Sequence, residues 1–158
     1  MTNIGVTGHQ QIPAQALEYI SSGIRTILRG QPRPLVGFSS LAVGADQLFA
    51  EEILAEGGEL HAVIPSDDYE STFSGEELHK YRRLLAAALS VTRLPRTQPD
   101  EAAFDAAGLW IAENSELMVA VWDGAASRGR GGTADAVAHA RQLGRQIRVV
   151  WPEGVSRD

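Results

Sequence analysis

The sequence contains no cysteine, and this absence excludes three kinds of chemistry at once. A chain without cysteine has no disulfide framework, no thiolate metal site and no cysteine nucleophile. Because disulfides are rare in the reducing cytosol, the composition suits a cytoplasmic protein, which is the location we expect.

Long apolar runs are absent as well. Residues 1–13 show no basic region followed by a long apolar run, so this segment does not resemble a signal peptide. Elsewhere the apolar runs stay far below the roughly 20 residues that a membrane-spanning helix needs. We therefore expect no membrane among the partners of this protein.

Positive charge is in short supply. The chain has 14 lysines and arginines against 20 aspartates and glutamates, so its formal net charge is -6. A phosphate backbone is bound by a basic surface, and the acidic balance therefore argues against nucleic acid as a partner. Arg128 and Arg130 are the candidates for a local basic cluster within this acidic chain.

The sequence does contain a regular alternation of short apolar runs and longer amphipathic stretches. Its length of 158 residues fits one domain spanning residues 1–158. The predicted strands are residues 4–6, 35–38, 60–64, 91–94, 117–122 and 147–151, and helical patterns lie between them. This alternation predicts the α/β class, with a Rossmann-like three-layer sandwich around a mostly parallel central sheet.

Three loops that leave predicted strands carry glycine or small residues, and ligands bind at the carboxyl ends of the strands in open parallel sheets. The first loop contains Thr7, Gly8 and His9. Glycine allows the backbone to approach a ligand closely, and His9 is placed to donate to a phosphate or a ribose. The alternative interpretation is a tight strand exit with a surface histidine.

The second loop contains Ser39, Ser40, Leu41, Gly44 and Asp46. In the functional interpretation, the serine hydroxyls and the backbone amides form a cradle for a phosphate or a sugar. In the alternative, Asp46 is the N-cap of the next helix and Gly44 only permits the turn. The loop has neither the Walker pattern nor the G-x-G-x-x-G pattern, so no cofactor is predicted.

The third loop is rich in glycine and arginine and opens a helix. The backbone amides of Gly131, Gly132 and Thr133 are expected to point at an anion, and Arg128 and Arg130 would add charge-assisted contacts. The alternative is a flexible loop with solvated arginines.

Asp123 begins the same connection, directly after a predicted strand. A carboxylate there suits contact with a ribose hydroxyl or work as a general base, and the alternative is a turn residue ahead of Gly124. Tyr69 and Phe73 are aromatic residues in a polar stretch, where they either cover a base or anchor the core. No pair of histidines has metal-ligand spacing, so no metal site is predicted.

Taken together, these loops resemble a known superfamily. Residues 40–46 (S-L-A-V-G-A-D) resemble the S-G-x-A-x-G-I-D segment of DprA-type proteins, and residues 131–133 (G-G-T) resemble the glycine-threonine motif of LOG proteins. With residues 7–9 (T-G-H), they are similar to the SLOG superfamily, the SMF/DprA–LOG group. The resemblance implies a Rossmann-like domain that binds a nucleotide or nucleotide-derived ligand. It also makes a homo-oligomer possible, because LOG-type proteins pair through helices.

The chain departs from the LOG motif at the position where those enzymes carry a catalytic glutamate. Ala136 stands there, and Asp135 is one residue earlier, which rotates it by about 100° around a helix. We therefore predict ligand binding as the function. The alternative is a LOG-like enzyme that cleaves an N-glycosidic bond, with Asp123, Asp135 or Glu113 as the acid, base or nucleophile.

Overall fold

The computed structural model describes residues 1–126 and 132–157, whose strands form one six-stranded sheet. The strands are β1 (Thr2–Gly8), β2 (Leu35–Ser39), β3 (Glu59–Ile64), β4 (Ser90–Arg93), β5 (Leu117–Val121) and β6 (Gln146–Val149). The α-helices are α1 (Leu17–Arg29), α2 (Ala45–Ala55), α3 (Gly75–Ala87), α4 (Glu101–Asn114) and α5 (Thr133–Gln142). Among these described residues, no helix has the length and apolar character to cross a membrane.

Every strand pairs in parallel with its neighbours, in the order β4-β3-β2-β1-β5-β6. The predicted Rossmann-like fold is therefore confirmed. The chain builds the sheet outward from β1 to β4, and α4 then returns it to the free edge of β1, where β5 pairs. The strand order thus reverses between β1 and β5, and open α/β sheets bind ligands at the carboxyl ends of the strands beside such a point.

The inner strands are apolar on both sides because helices cover both faces of the sheet. All 5 residues of β5 are buried, and its successive side chains reach opposite faces. Val119 lies in the core cluster with Ile20 and Phe49, on the face that α1, α2 and α3 cover. Met118 lies in a second cluster with Ile111, on the face that α4 and α5 cover. This double burial explains the near-continuous apolar run from which the strand was predicted.

Candidate functional site

A buried histidine and an aspartate meet where the strand order reverses. His9 follows β1 and Asp123 follows β5, and the register pairs the ends of these strands, Gly8 with Val121. His9 is 6% exposed, and its Nε2 lies 3.1 Å from Asp123 Oδ1. The alternative of a surface histidine at a tight strand exit is therefore wrong.

The third member of this group comes from the far end of the described chain. Arg157 Nη1 lies 3.0 Å from His9 Nδ1, and Arg157 Nε lies 3.6 Å from Asp123 Oδ2. A guanidinium only donates hydrogen bonds, so Nδ1 accepts in this contact. Nε2 is the ring nitrogen that faces Asp123. We call His9, Asp123 and Arg157 the His9 cluster.

The start of α5 also reaches the His9 ring. Thr133 is 7% exposed, and its Oγ1 lies 3.3 Å from His9 Nδ1. The backbone N of Asp123 lies 3.1 Å from Nε2. His9 was predicted as a site residue in the first loop, and Asp123 and Thr133 in the third, and the fold brings them together. Arg157 was not predicted, because it carries no local motif and lies 148 residues from His9.

The surroundings of Asp123 keep its carboxylate ionised. Burial on its own raises the pKa of Asp123, but the amide of Ala125, His9 and Arg157 outweigh that effect and hold this pKa below its usual value. The Ala125 amide donates to Oδ1 at 3.0 Å, which is the geometry of an aspartate-led turn. Asp123 therefore shapes the turn, as one interpretation held, and also places a negative charge beside His9.

The second loop is hydrogen-bonded to the backbone that follows β1. Gly44 has φ 89° and is the N-cap of α2, and a Cβ there would lie 2.5 Å from the carbonyl oxygen of Gln10. The next amide, Ala45 N–H, donates to the carbonyl of His9 at 3.1 Å. Glycine is thus required at position 44 by both the backbone angle and the close approach. Asp46 lies in the first turn of α2 and is not its N-cap.

Two residues of this loop that we expected to face a ligand instead hold the loop in shape. Ser39 is fully buried, and its hydroxyl donates to the carbonyl of Asp46 and accepts from the amide of Leu41, both at 3.0 Å. Leu41 is also fully buried, with φ 60°, and its carbonyl accepts from Gln47 Nε2 at 3.1 Å. Ser40 is also buried, at 8% exposed, and it lines a cavity at this edge of the sheet.

A cavity of about 120 Å³ opens at the carboxyl ends of β1, β2 and β3, under α4. Four of the predicted site residues line it, namely Thr7, Gly8, Ser40 and Asp46. Tyr69, for which one interpretation was contact with a base, also lines it, and the walls that were not predicted include Gln10, Phe104, Ala107, Gly108, Ile111 and Ala136. Most of these residues are small or apolar and read as ordinary core, so only the tertiary packing identifies them.

Tyr69 belongs to an aromatic group that anchors this part of the core. Its ring makes edge contacts with Phe73 and Phe104, at centroid distances of 5.2 and 6.0 Å. Both Tyr69 and Phe73 are buried, so the structure supports the interpretation of these aromatic residues as core anchors. Tyr69 nevertheless also forms part of the cavity wall.

Asp46 is the carboxyl group among the described residues that line the cavity. Burial raises the pKa of Asp46 to about 7, against the opposing effect of the Ala42 amide, which donates to Oδ2 at 3.3 Å. The pKa of Tyr69 is also raised, by burial first and then by the nearby charge of Asp46, so its hydroxyl stays protonated. A carboxyl group with a pKa near 7 exchanges protons close to neutral pH, which is the property of a general acid or base.

The third loop is described only in part. Arg128, Arg130 and Gly131 lie outside the described residues, so their expected contacts with an anion remain predictions. Gly132 is the N-cap of α5, as its position before the helix indicated. The described residues contain no group of three or more histidine, aspartate or glutamate side chains that could hold a metal ion.

The remaining acidic candidates occupy different places. Asp135 lies in the first turn of α5, one residue before the cavity wall at Ala136. Glu113 is exposed near the end of α4, at the opposite edge of the sheet from the cavity. The fold therefore separates Glu113 from the other carboxylates that the enzyme hypothesis named.

No protein-family model and no curated protein matches the sequence. Solved structures do match. DNA processing protein A (DprA) from Streptococcus pneumoniae is 20% identical with a TM-score of 0.68, over 99% of this chain and 53% of that one. DprA from Helicobacter pylori, a protein described by its single-stranded DNA binding mode, is 14% identical with a TM-score of 0.68, over 94% of this chain and 64% of that one. The chain therefore shares the fold of these two DprA structures.

The Moco carrier protein of Chlamydomonas rheinhardtii also has a similar fold. That structure is 18% identical with a TM-score of 0.56, over 94% of this chain and 74% of the carrier. The chain spans between half and two thirds of the two DprA structures. The resemblance to the SLOG group is therefore confirmed at the level of the fold.

The comparison corrects one expectation. The acidic net charge argued against nucleic acid as a partner, yet a protein of similar fold is described by its single-stranded DNA binding mode. The expectation that nucleic acid is an unlikely partner is therefore wrong. Its physical weakness is that net charge averages over the whole surface, whereas a strand contacts only a local part of it.

Proposed function

We propose that this chain binds a nucleotide or nucleotide-derived ligand at the carboxyl edge of its sheet. The observation that carries the proposal is the cavity beside Asp46, which opens next to the reversal in strand order where the His9 cluster lies. An open α/β sheet offers its ligand crevice at this place, and a concave site with a few convergent polar groups is typical of small-molecule binding.

The ligand contacts that we propose come from the loops at this edge. Thr7, Gly8, Ser40 and Asp46 line the cavity, and His9, Asp123 and Thr133 lie at the adjoining strand exit. We propose that a phosphate is contacted at the N-terminus of α5 by Gly132. The other proposed phosphate contacts are Gly131, Arg128 and Arg130. Arg157 adds a permanent positive charge to the same edge.

A thermal-shift screen tests the proposal. The probes are nucleoside mono-, di- and triphosphates, NAD, ADP-ribose and cyclic nucleotides. A ligand that binds only the folded state stabilises it by about 2.7 kcal/mol when present at 100 times its Kd, so a true ligand raises the melting temperature. If none of these compounds raises it, the nucleotide proposal is wrong.

A second candidate function is cleavage of an N-glycosidic bond. It is favoured by two carboxyl groups at one edge of the sheet whose pKa values are shifted apart, upward for Asp46 and downward for Asp123. Such a pair suits an acid that protonates a leaving group and an anion that stabilises an oxocarbenium-like transition state. Incubation of each stabilising nucleotide, followed by chromatography for free base, separates an enzyme from a binding protein.

The DprA comparison favours a third candidate, in which the bound nucleotide belongs to a single strand. Its support is the shared fold with a protein described by single-stranded DNA binding. Fluorescence anisotropy of a labelled oligonucleotide at two salt concentrations tests it, because phosphate contacts make the affinity fall steeply as salt rises.

A further inference from the structure

We infer that the cavity receives the nucleobase ring of the ligand and that Asp46 accepts a hydrogen bond from an N–H group on the edge of that ring. The inference rests on the proposed nucleotide function and adds an orientation to it. The base lies under α4, and the phosphate lies outside the cavity.

The size and the walls of the cavity fit one aromatic ring. Its volume of about 120 Å³ is of the same order as the about 150 Å³ of a cavity in another protein that binds benzene. Phe104, Ala107 and Ile111 supply an apolar wall from α4, which suits the flat face of a base. The polar groups stand elsewhere on the wall, where Asp46 and Ser40 would meet the edge of the ring.

The charges of the cavity wall disfavour a phosphate inside the cavity. Of the described residues that line the cavity, only Asp46 and Tyr69 are ionisable, and none carries a positive charge. A phosphate placed there would face a carboxylate with no cation to offset the repulsion. Positive charge is found instead in the His9 cluster, where Arg157 lies beside His9 at the exit of β1.

Asp46 has accepting capacity left for a base. Among described residues it accepts one hydrogen bond, from the Ala42 amide to Oδ2 at 3.3 Å, whereas a carboxylate has about four acceptor positions. Amino groups and ring N–H groups of nucleobases are donors of matching type. A base in the cavity would therefore donate a hydrogen bond to Asp46, whereas an ionised phosphate has no N–H group to donate.

Gly108 allows the cavity to be filled without disturbing the fold. A Cβ on this residue of α4 would meet only Ala136 Cβ, at 3.9 Å, and Gly108 lines the cavity. Gly108→Leu should therefore project into the space that the base would occupy. Ala86→Leu, on the exposed face of α3, is the matched control, because it adds a leucine side chain away from the cavity. Asp46→Asn removes the charge at nearly constant shape, and Glu77→Gln is its control on the exposed face of α3.

The experiment is calorimetric titration of these variants with AMP, CMP, GMP and UMP, and with ribose 5-phosphate and inorganic phosphate as probes without a base. We expect Gly108→Leu and Asp46→Asn to weaken the best nucleoside monophosphate by about tenfold or more, which corresponds to about 1.4 kcal/mol. Ribose 5-phosphate and phosphate should bind all variants equally, and both controls should behave as the wild type.

The outcomes separate this inference from the proposed function. Wild-type protein that binds no nucleotide overturns both. Wild-type protein that binds a nucleotide while folded Gly108→Leu and Asp46→Asn bind it as tightly overturns the orientation alone. Equal weakening of ribose 5-phosphate shows that a sugar occupies the cavity, which also overturns it. If Gly108→Leu does not fold, Asp46→Asn decides.

The base could belong to a free nucleotide or to a single strand, and a last arm distinguishes these sources. A 5′-labelled oligodeoxynucleotide is titrated with wild type and with the same variants. Loss of strand binding in Gly108→Leu and Asp46→Asn assigns a base of the strand to the cavity. Strand binding that survives in both, alongside loss of the mononucleotide, assigns the cavity to the free ligand.

Discussion

Asp46 and Asp123 lie at the same edge of the sheet, yet their surroundings move their pKa values in opposite directions. Asp46 is held in the cavity wall with one amide donor, so burial dominates and favours its neutral form. Asp123 is also penalised by burial, but its amide donor, His9 and Arg157 reverse the balance. The contrast shows that the number of donors and cations around each carboxylate sets its charge at this site.

The raised pKa of Asp46 predicts a specific dependence of stability on pH. Its pKa in the folded chain, about 7, exceeds the ordinary value of 3.8, so its contribution is full below pH 4 and is lost as the pH rises through 7. We expect the free energy of unfolding of the wild type, relative to Asp46→Asn, to fall by about 2 to 4 kcal/mol between pH 4 and 8. Urea unfolding of both proteins at these pH values measures it. A constant difference between the two proteins would contradict the assignment.

The His9 cluster makes a second prediction at the residue scale. His9→Ala removes a hydrogen-bond partner of Arg157 and of Asp123, leaving two largely buried polar groups with fewer partners. We expect a loss of about 2 to 3 kcal/mol in stability. His79→Ala, on the exposed face of α3, is the control and should change stability by less than about 0.5 kcal/mol. Similar losses in both variants would show that the cluster is not stabilising.

Among the secondary-structure elements, β2 and β5 were predicted within one residue at each end, whereas β1 extends two residues beyond its predicted bounds at each end. β5 lies almost as predicted because burial on both faces requires a continuous apolar run. The last strand ends at Val149, earlier than expected, although the Val150 amide still donates to the Ala120 carbonyl at 2.9 Å and its side chain packs in the core. The apolar pattern reports burial and does not distinguish a strand from the turn that follows it.

The loop between β2 and α2 makes a prediction at the element scale. Gly44 and Gly57 both have positive φ, at 89° and 76°, but a Cβ on Gly44 would lie 2.5 Å from a backbone oxygen while one on Gly57 would meet nothing within 4 Å. Gly57→Ala should therefore cost only the backbone strain, about 1 kcal/mol. Gly44→Ala should cost at least about 2 kcal/mol more, because the backbone must shift. If thermal unfolding shows the same loss of stability for both variants, the backbone of the loop shifts at no measurable cost and the prediction is wrong.

At the scale of the whole molecule, the site depends on distances along the chain that no local pattern reveals. The three glycine-containing loops could be selected because each follows an apolar strand, and their convergence follows from the parallel order of the sheet. Arg157 and the α4 wall of the cavity could not be selected, because a lone arginine and a run of core residues carry no signal until the chain is folded. The single-domain organisation and the homo-oligomer stay predictions.

The central claim is that a nucleotide binds at the carboxyl edge of the sheet, and mapping its contacts in solution tests this most directly. Backbone amide chemical shifts of the ¹⁵N-labelled protein are recorded while a nucleoside monophosphate is titrated. The account predicts saturable shifts concentrated at Thr7, Gly8, Ser40 and Asp46, with a second group around His9 and Thr133. Saturable shifts confined to another surface, such as the groove between α1 and β6, or no shifts at millimolar nucleotide, would contradict it.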